Sequence, residues 1–146
     1  MTPTAVARAL IDGVCRLVSG DGTRLEQLVA LYAEPTLVLH PMSPQPIPPL
    51  RSRDELRDHF REGPARAGAD RFDAVDVTVH ETADPEVVVA EFRYRHQRGA
   101  AVHHIPCVFV LRVRDGLIVE SHDYADHVAM ARAAGRLDRL QAVLSG

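Results

Sequence analysis

The dipeptide Asp115-Gly116 lies between two long β-type runs and constrains the fold of this chain more than any other feature. The stretch reads AVHHIPCVFVLRVRDGLIVESHDYADH over residues 101–127. Glycine adopts the positive φ that tight hairpin loops need, so Asp-Gly between alternating apolar runs predicts a β-hairpin. Beyond the second run, strand periodicity changes to helix periodicity within a polar cluster.

The length of the hairpin loop decides which side chains share a face. A two-residue loop sets Arg114 opposite Leu117, whereas a three-residue loop sets Val113 opposite Leu117. We favour the three-residue loop because it keeps the apolar side chains together, and it places Asp123 opposite Cys107. The side-chain period of two then directs one set of residues toward the core. The set comprises His103, Ile105, Cys107, Phe109, Leu111, Val113, Leu117, Val119, Ser121 and Asp123.

Two further strands precede the hairpin. In residues 71–82 the apolar positions Val75, Val77 and Val79 alternate with polar ones. Residues 87–97 alternate in the same way, and residues 83–86 form the turn between the two strands. The core-facing set of the second strand is Val88, Ala90, Phe92, Tyr94 and His96. Together with the hairpin, these strands predict a meander of four antiparallel strands.

Helical spacing dominates the first part of the chain. The predicted helices are residues 3–19, a second that begins at a Thr23/Glu26 capping box and extends to Tyr32, and a third from Ser52 or Asp54 to Glu62 that carries His59 and Phe60. A short strand at 36–40 and a loop with five prolines at 41–50 lie between the second and third helices. After the meander, Asp126 can cap a helix over 127–134, which Gly135 ends, and a short final helix follows.

Composition excludes several classes of protein. The chain has 146 residues, which suits one domain, and a net charge of −3. All 17 basic residues are arginines scattered among 20 acidic ones, so the basic stripe of a nucleic-acid binder is absent. Without lysine, neither a Schiff base nor a P-loop can form. There is no signal peptide and no apolar run of about 18 residues, so we expect a cytoplasmic protein that does not enter the membrane.

Four stretches carry a resemblance to a known family. They are LVALYAEPTLVLHP, RSRDELRDHFREG, DPEVVVAEFRYR and FVLRVRDGLIVESHDYADHVAMARAAG, in that order along most of the chain. The chain resembles the nuclear transport factor 2-like superfamily, and within it the SnoaL-like or ketosteroid-isomerase-like branch. This resemblance implies a single α+β domain over 1–146. Its curved, cone-shaped sheet would be mixed or antiparallel, with three helices on the concave face and a short C-terminal helix, and the protein would be a homodimer formed through the sheet.

The resemblance also implies site residues. The general base of ketosteroid isomerases corresponds to His40 here, while their two oxyanion donors fall at Gly13 or Val14 and near Phe109, which cannot donate. The acid/base Asp and the His of SnoaL-type cyclases resemble Asp123 and His103, or His104 if the register slips by one residue. Isomerase chemistry of the steroid type is therefore disfavoured.

We expect one apolar pocket that binds a small, mostly apolar organic ligand. The expected catalytic residues are Asp123, His103 and His40, and the expected substrate-binding residues are Tyr94, His59, Phe60, Phe92, His96, Cys107, Phe109, Met42 and Val119. A cofactor-independent acid/base enzyme acting on a carbonyl compound is one hypothesis, and a ligand-binding protein without turnover is the alternative. His103 and Cys107 would lie about 13 Å apart on one strand, so no metal site is expected.

The side chains on the opposite face of the sheet predict the subunit contact. His104, Val108, Val110, Ile118, His122 and Tyr124 are too apolar and aromatic for a solvated sheet face. Such a surface usually marks an interface, and a self-complementary two-fold contact would cover it. We therefore expect a homodimer.

Overall fold

The α+β class expected from the sequence is confirmed. The computed structural model describes all 146 residues. The helices are α1 Pro3–Val18, α2 Arg24–Val29, α3 Arg53–Arg61, α4 Gly63–Ala67, α5 His127–Ala133 and α6 Leu137–Ser145; the strands are β1 Tyr32–Leu39, β2 Arg71–Glu81, β3 Val87–Arg98, β4 Ala101–Arg114 and β5 Leu117–Ala125. The chain thus has six helices, which are the five predicted along the sequence and the additional α4. None of them is long and apolar enough to cross a membrane.

One curved sheet with the order β1-β5-β4-β3-β2 organises the fold. Strands β2 to β5 form the predicted antiparallel meander, and β1 joins β5 in parallel at the edge. Helix α1 packs on β2, β3 and β4, and its buried residues include Val6, Leu10 and Ile11. The core therefore lies between α1 and the inner face of the sheet.

The β4–β5 loop is shorter than predicted. Asp115 and Gly116 have φ values of 53° and 78°, and Arg114 pairs with Leu117, so the loop has two residues of the type that matches strand twist. A bulge at Val119 then shifts the register, because Val113 pairs with Ile118 whereas Arg112 pairs with Glu120. The inward assignment of Leu117 is therefore wrong, and Val119 lies at the bulge, outside the regular alternation.

The buried residue at that point of β5 is Ile118, which was expected on the outer face. Beyond the bulge the inward assignments of Ser121 and Asp123 hold, but Asp123 pairs with Phe109 instead of Cys107. The shorter loop and the bulge each shift the pairing of β5 by one residue. The two shifts add up to one full period of the strand, so Ser121 and Asp123 lie on the predicted inner face.

Strand β2 also contains a bulge that the sequence did not reveal. Asp76 has φ 56°, and the pairing shifts between Val75 and Thr78. Before the bulge the inner residues are Phe72 and Ala74, which pair with His96 and Tyr94 of β3. The expectation that Val75 faces the core is therefore wrong, since the strand changes phase at Asp76.

The ends of the helices follow from their capping residues. Ser52 and Asp126 accept hydrogen bonds from the backbone of Glu55 and Ala129, as predicted for the starts of α3 and α5. The predicted capping box of α2 is wrong: Thr23 makes no capping bond and Glu26 binds Arg57 instead.

Two other segments differ from their predicted structure. Tyr32 lies in β1, although helical spacing placed it at the end of the second helix. The expected loop after Gly63-Pro64 is the short helix α4, since proline is well tolerated in the first turn of a helix.

Candidate functional site

His40 and Asp123 meet at the edge of the sheet. Leu39 of β1 pairs in parallel with His122 of β5, so the next residue of each strand lies at the same level. His40 Nε2 is 3.8 Å from Asp123 Oδ2, and the two side chains are only 13% and 16% exposed. This places two of the three expected catalytic residues together.

Asp123 has an environment suited to proton transfer. Burial raises its pKa from 3.8 to about 6, and a hydrogen bond from the Ser121 hydroxyl and the nearby His122 offset part of that rise. The hydroxyl donates to Oδ1, which leaves Oδ2 on the side of His40. Near neutral pH the carboxyl group can therefore both lose and regain a proton.

His40 is held in its neutral form. Its pKa is lowered first by burial and then by the nearby His127 and Arg66. The distance of 3.8 Å to Asp123 is too long for a hydrogen bond. The pair is thus not a stable ion pair, because burial favours the uncharged form of both partners.

Helix α3 contributes His59 and Phe60 to the same region. The rings of His40 and His59 are 5.2 Å apart, and those of His59 and Phe60 are 5.6 Å apart. Burial, with Arg66 and His40 as smaller causes, lowers the pKa of His59 to about 3, so this imidazole stays neutral. Both residues were expected at the site and lie beside His40.

His127, the first residue of α5, is a further neighbour of His40. Its pKa is lowered by burial, and its Nε2 is one of three buried polar atoms without a partner, with His40 Nδ1 and His96 Nδ1. His127 was not among the residues expected at the site, although Asp126 was expected to cap the helix that His127 begins. Its position was predictable to that extent from the capping residue Asp126.

Aromatic side chains line the inner face of the sheet next to Asp123. Phe109 pairs with Asp123 across β4 and β5, and its ring is 5.0 Å from that of Phe92. Phe92 in turn lies 4.9 Å from Tyr94. Burial is the main cause that raises the pKa of the neighbouring Cys107 to about 12, so its thiol is a small apolar group rather than a nucleophile.

His103 and His96 lie far from Asp123. They pair with each other across β3 and β4, with ring centroids 6.3 Å apart. His103 is six residues along β4 from Phe109, the partner of Asp123, which corresponds to about 20 Å. His96 Nε2 contacts the carbonyl oxygen of Ala67 at 2.7 Å, which ties α4 to the sheet. The structure therefore does not bring His103 to the carboxylate.

Met42 is more exposed than the sequence predicted, at 63%. It borders a groove of about 700 Å³ together with the expected wall residues Phe92 and Cys107 and the outward-facing Val108 and Tyr124. Val119 is half-buried and is the extra residue of the β5 bulge. A second groove of about 570 Å³ lies between α1 and β2.

At the positions that correspond to the oxyanion donors of ketosteroid isomerases, this chain has residues that pack in the core and cannot donate a hydrogen bond from their side chains. Gly13 faces Leu28 so closely that a Cβ there would lie 2.6 Å from Leu28 Cδ2. Phe109 is buried at 7% exposure. No group of three or more His, Cys, Asp or Glu side chains is arranged to hold a metal ion.

Comparison with known proteins identifies related sequences and structures. The sequence pattern of the SnoaL-like domain matches residues 10–121. A proposed isomerase from Bacillus subtilis superimposes with a TM-score of 0.74 at 21% identity, covering 93% of this chain and 97% of its own. IdmH, a proposed polyketide cyclase from Streptomyces antibioticus, gives 0.66 at 21% identity, covering 92% and 99%.

A third structure has the same architecture. It is a proposed polyketide cyclase from Xanthomonas campestris, with a TM-score of 0.68 at 15% identity over 90% of this chain and 96% of its own. No curated protein sequence matches significantly. At these identities the structural matches establish a shared fold.

Proposed function

The chain belongs to the SnoaL-like domain family, and on that premise we propose that it is a cofactor-independent acid/base enzyme. In this proposal Asp123 removes a proton from carbon next to the carbonyl group of a small, mostly apolar compound and returns it elsewhere on the same molecule. The reaction class is that of an isomerase or a polyketide-type cyclase.

One observation carries the proposal: a carboxyl group only 16% exposed, with a pKa near 6, faces the neutral imidazole of His40. A catalytic base works best when its pKa is close to the working pH, since it is then both ionised and basic enough to accept a proton. Ordinary surface aspartates are much weaker bases. The environment of Asp123 thus suits a catalytic base that works near neutral pH.

His40 and His59 have supporting roles in this proposal. Because His40 is neutral, one of its nitrogens can donate a hydrogen bond and the other can accept a proton. It contacts the same carboxylate oxygen that would face the substrate. His40 would therefore orient the ligand or carry the proton between two of its positions, and His59 would fix the His40 ring.

The apolar side chains support the proposed substrate class. Phe60, Phe92 and Phe109 surround the polar pair with aromatic surface. Apolar walls with a few polar groups are typical of small-molecule sites. A mostly apolar ligand with one carbonyl group fits this distribution.

Hydrogen exchange at carbon tests the proposal. Cyclic ketones and lactones that raise the melting temperature would be incubated with the protein in D₂O, and deuterium incorporation next to the carbonyl followed by NMR. We expect exchange by the wild type and a loss of about 10²-fold or more in Asp123→Asn. Glu120→Gln, which changes an outward carboxylate on the same strand, is the matched control.

Two results would count against the enzyme. Unchanged exchange in Asp123→Asn would remove Asp123 from the mechanism. Ligands that bind to the wild type without any exchange or turnover would favour the alternative of a binding protein.

A further inference from the structure

Tyr32 and Tyr94 are buried residues whose hydroxyl groups make no hydrogen bond within the chain. The two residues are 1% and 8% exposed. Neither hydroxyl is among the sealed, unpartnered polar atoms, which are all histidine nitrogens. Each hydroxyl therefore opens on a space that a water molecule or a ligand atom can enter. Buried phenols normally find a partner, so both hydroxyls are available to donate to a ligand atom.

Both rings are firmly held. The backbone carbonyl of Tyr32 accepts hydrogen bonds from Arg53 Nε and Nη2 at 2.9 and 2.7 Å, and its ring lies 6.1 Å from that of Phe60. Tyr94 packs between Phe72 and Phe92, at 4.5 and 4.9 Å. The hydroxyls are thus fixed in position before any ligand arrives, which is the requirement for electrostatic catalysis.

Two rows of packed rings connect the tyrosines to Asp123. The ring of Tyr32 packs on Phe60, which leads through His59 to His40. The rings of Tyr94, Phe92 and Phe109 form a continuous row that leads to Asp123. Burial is the main cause that raises the pKa of both tyrosines, and the charge of Asp123 contributes to each; Tyr32 also contributes to that of Tyr94. Both phenols therefore keep their protons at neutral pH and can act as donors.

We propose that Tyr32 and Tyr94 donate two hydrogen bonds to the carbonyl oxygen of the substrate while Asp123 removes the proton from the neighbouring carbon. This inference rests on the proposed function and adds two catalytic residues to it. The C–H electron pair becomes the new C=C bond, the carbonyl π pair moves to oxygen, and Asp123 holds the proton. No other reactant is consumed.

The proposal supplies the stabilisation that the rest of the site lacks. A developing enolate oxygen needs preorganised donors, which typically form the largest single contribution to such catalysis. Gly13, Val14 and Phe109 cannot provide them. A pair of donors from β1 and β3 would replace donors from α1 and β4, with the base on β5.

Binding of an oxyanion mimic tests the two donors without any turnover. The probe is 4-nitrophenolate at mildly alkaline pH, and its neutral counterpart is nitrobenzene. Both are titrated by calorimetry into Asp123→Asn, because that variant reproduces the uncharged carboxyl group present after proton removal. Tyr32→Phe and Tyr94→Phe are then added singly to this background, and Tyr124→Phe on the outer face is the matched control.

We expect each inner substitution to weaken 4-nitrophenolate binding by about tenfold or more, the loss typical of a hydrogen bond to a charged group. Nitrobenzene binding should not change, and Tyr124→Phe should affect neither probe. Unchanged phenolate binding in either inner variant, or an equal loss for both probes, would overturn the proposal.

The proposed function fails separately, through unchanged exchange in Asp123→Asn alone. If phenolate binding does not depend on the tyrosines while exchange still depends on Asp123, the base stays in place and only the donors are removed. The two failures are therefore distinguishable.

Discussion

Asp123 couples the proposed chemistry to the stability of the fold. Its folded pKa of about 6 lies above the ordinary value of 3.8. Well below pH 3.8 the group is protonated in both the folded and the unfolded chain and has no effect on stability. As the pH rises from 3.8 to about 6, the unfolded chain ionises first, so the folded state loses stability, and above about 6 the loss stays constant.

Asp123→Asn should therefore stabilise the protein in alkaline solution. A difference of about 2 between the folded and the unfolded pKa of Asp123 corresponds to about 3 kcal/mol in the free energy of unfolding. We expect the free energy of unfolding to rise by about 2–3 kcal/mol at about pH 8 and to change little at about pH 4, as measured by urea denaturation. Glu120→Gln should show no such pH-dependent gain. A destabilised Asp123→Asn at alkaline pH would contradict the assigned environment.

The same carboxyl group sets a pH dependence for activity. If ionised Asp123 is the base, kcat/KM should increase as the pH rises through about 6 and then level off. His40 and His59 should not limit activity on the acidic side of that range, since the pKa of each is lowered. A profile that is flat between about pH 5 and 8 would exclude Asp123 as the titrating base.

At the scale of single residues, the sequence predicted the pair of Asp123 and His40 but not its neighbours. The alternation of side chains along the strands and the family resemblance were enough to predict those two residues. Tyr32 was missed because helical spacing from Leu25 and Leu28 continued through it, and only tertiary pairing with β5 makes it a strand residue. His103 has the correct parity, but parity carries no information about distance along a strand.

At the scale of secondary-structure elements, most strand bounds were predictable because turn residues and alternation mark them. The two bulges were not, since nothing in the local pattern distinguishes an extra residue from a longer loop. Helix α1 was also predicted well, and its fit to α2 depends on Gly13.

Gly13→Ala should reveal the close approach of α1 and α2. The new Cβ would lie 2.6 Å from Leu28 Cδ2 and 3.1 Å from Leu28 Cγ. We expect a loss of about 1–3 kcal/mol from overpacking, although alanine favours helix. In a Leu28→Ala background the same change should be neutral or stabilising. Additive effects in this double-mutant cycle, measured by thermal denaturation, would argue against the contact.

At the scale of the whole molecule, the outer face of the sheet remains the expected subunit contact. Val108, Val110 and Tyr124 face outward from β4 and β5 and are half-buried, while Ile118 belongs to the core and must be removed from the expected contact set. An apolar, aromatic sheet surface of this kind suits a two-fold contact.

Val110→Glu should therefore dissociate the expected homodimer. The substitution would bury a carboxylate without a partner in the contact of each subunit, which is strongly unfavourable. We expect sedimentation to give a dimer for the wild type at micromolar concentration and a folded monomer for this variant. Leu144→Glu, which alters an apolar side chain that is 65% exposed on α6, should leave the dimer intact. A monomeric wild type would contradict the expectation.

The extra residue at Val119 gives β5 an unusual tolerance of length change. Val119 lies outside the one-to-one pairing with β4, so its deletion can be absorbed by regularising the strand, with Glu120 still opposite Arg112 and Asp123 still opposite Phe109. Removing Val110 from the regular strand β4 instead would shift every later pair by one position and invert its faces. The bulge thus marks a point at which evolution or design can shorten the sheet without displacing Asp123. By circular dichroism the Val119 deletion should keep its fold, whereas the Val110 deletion should not.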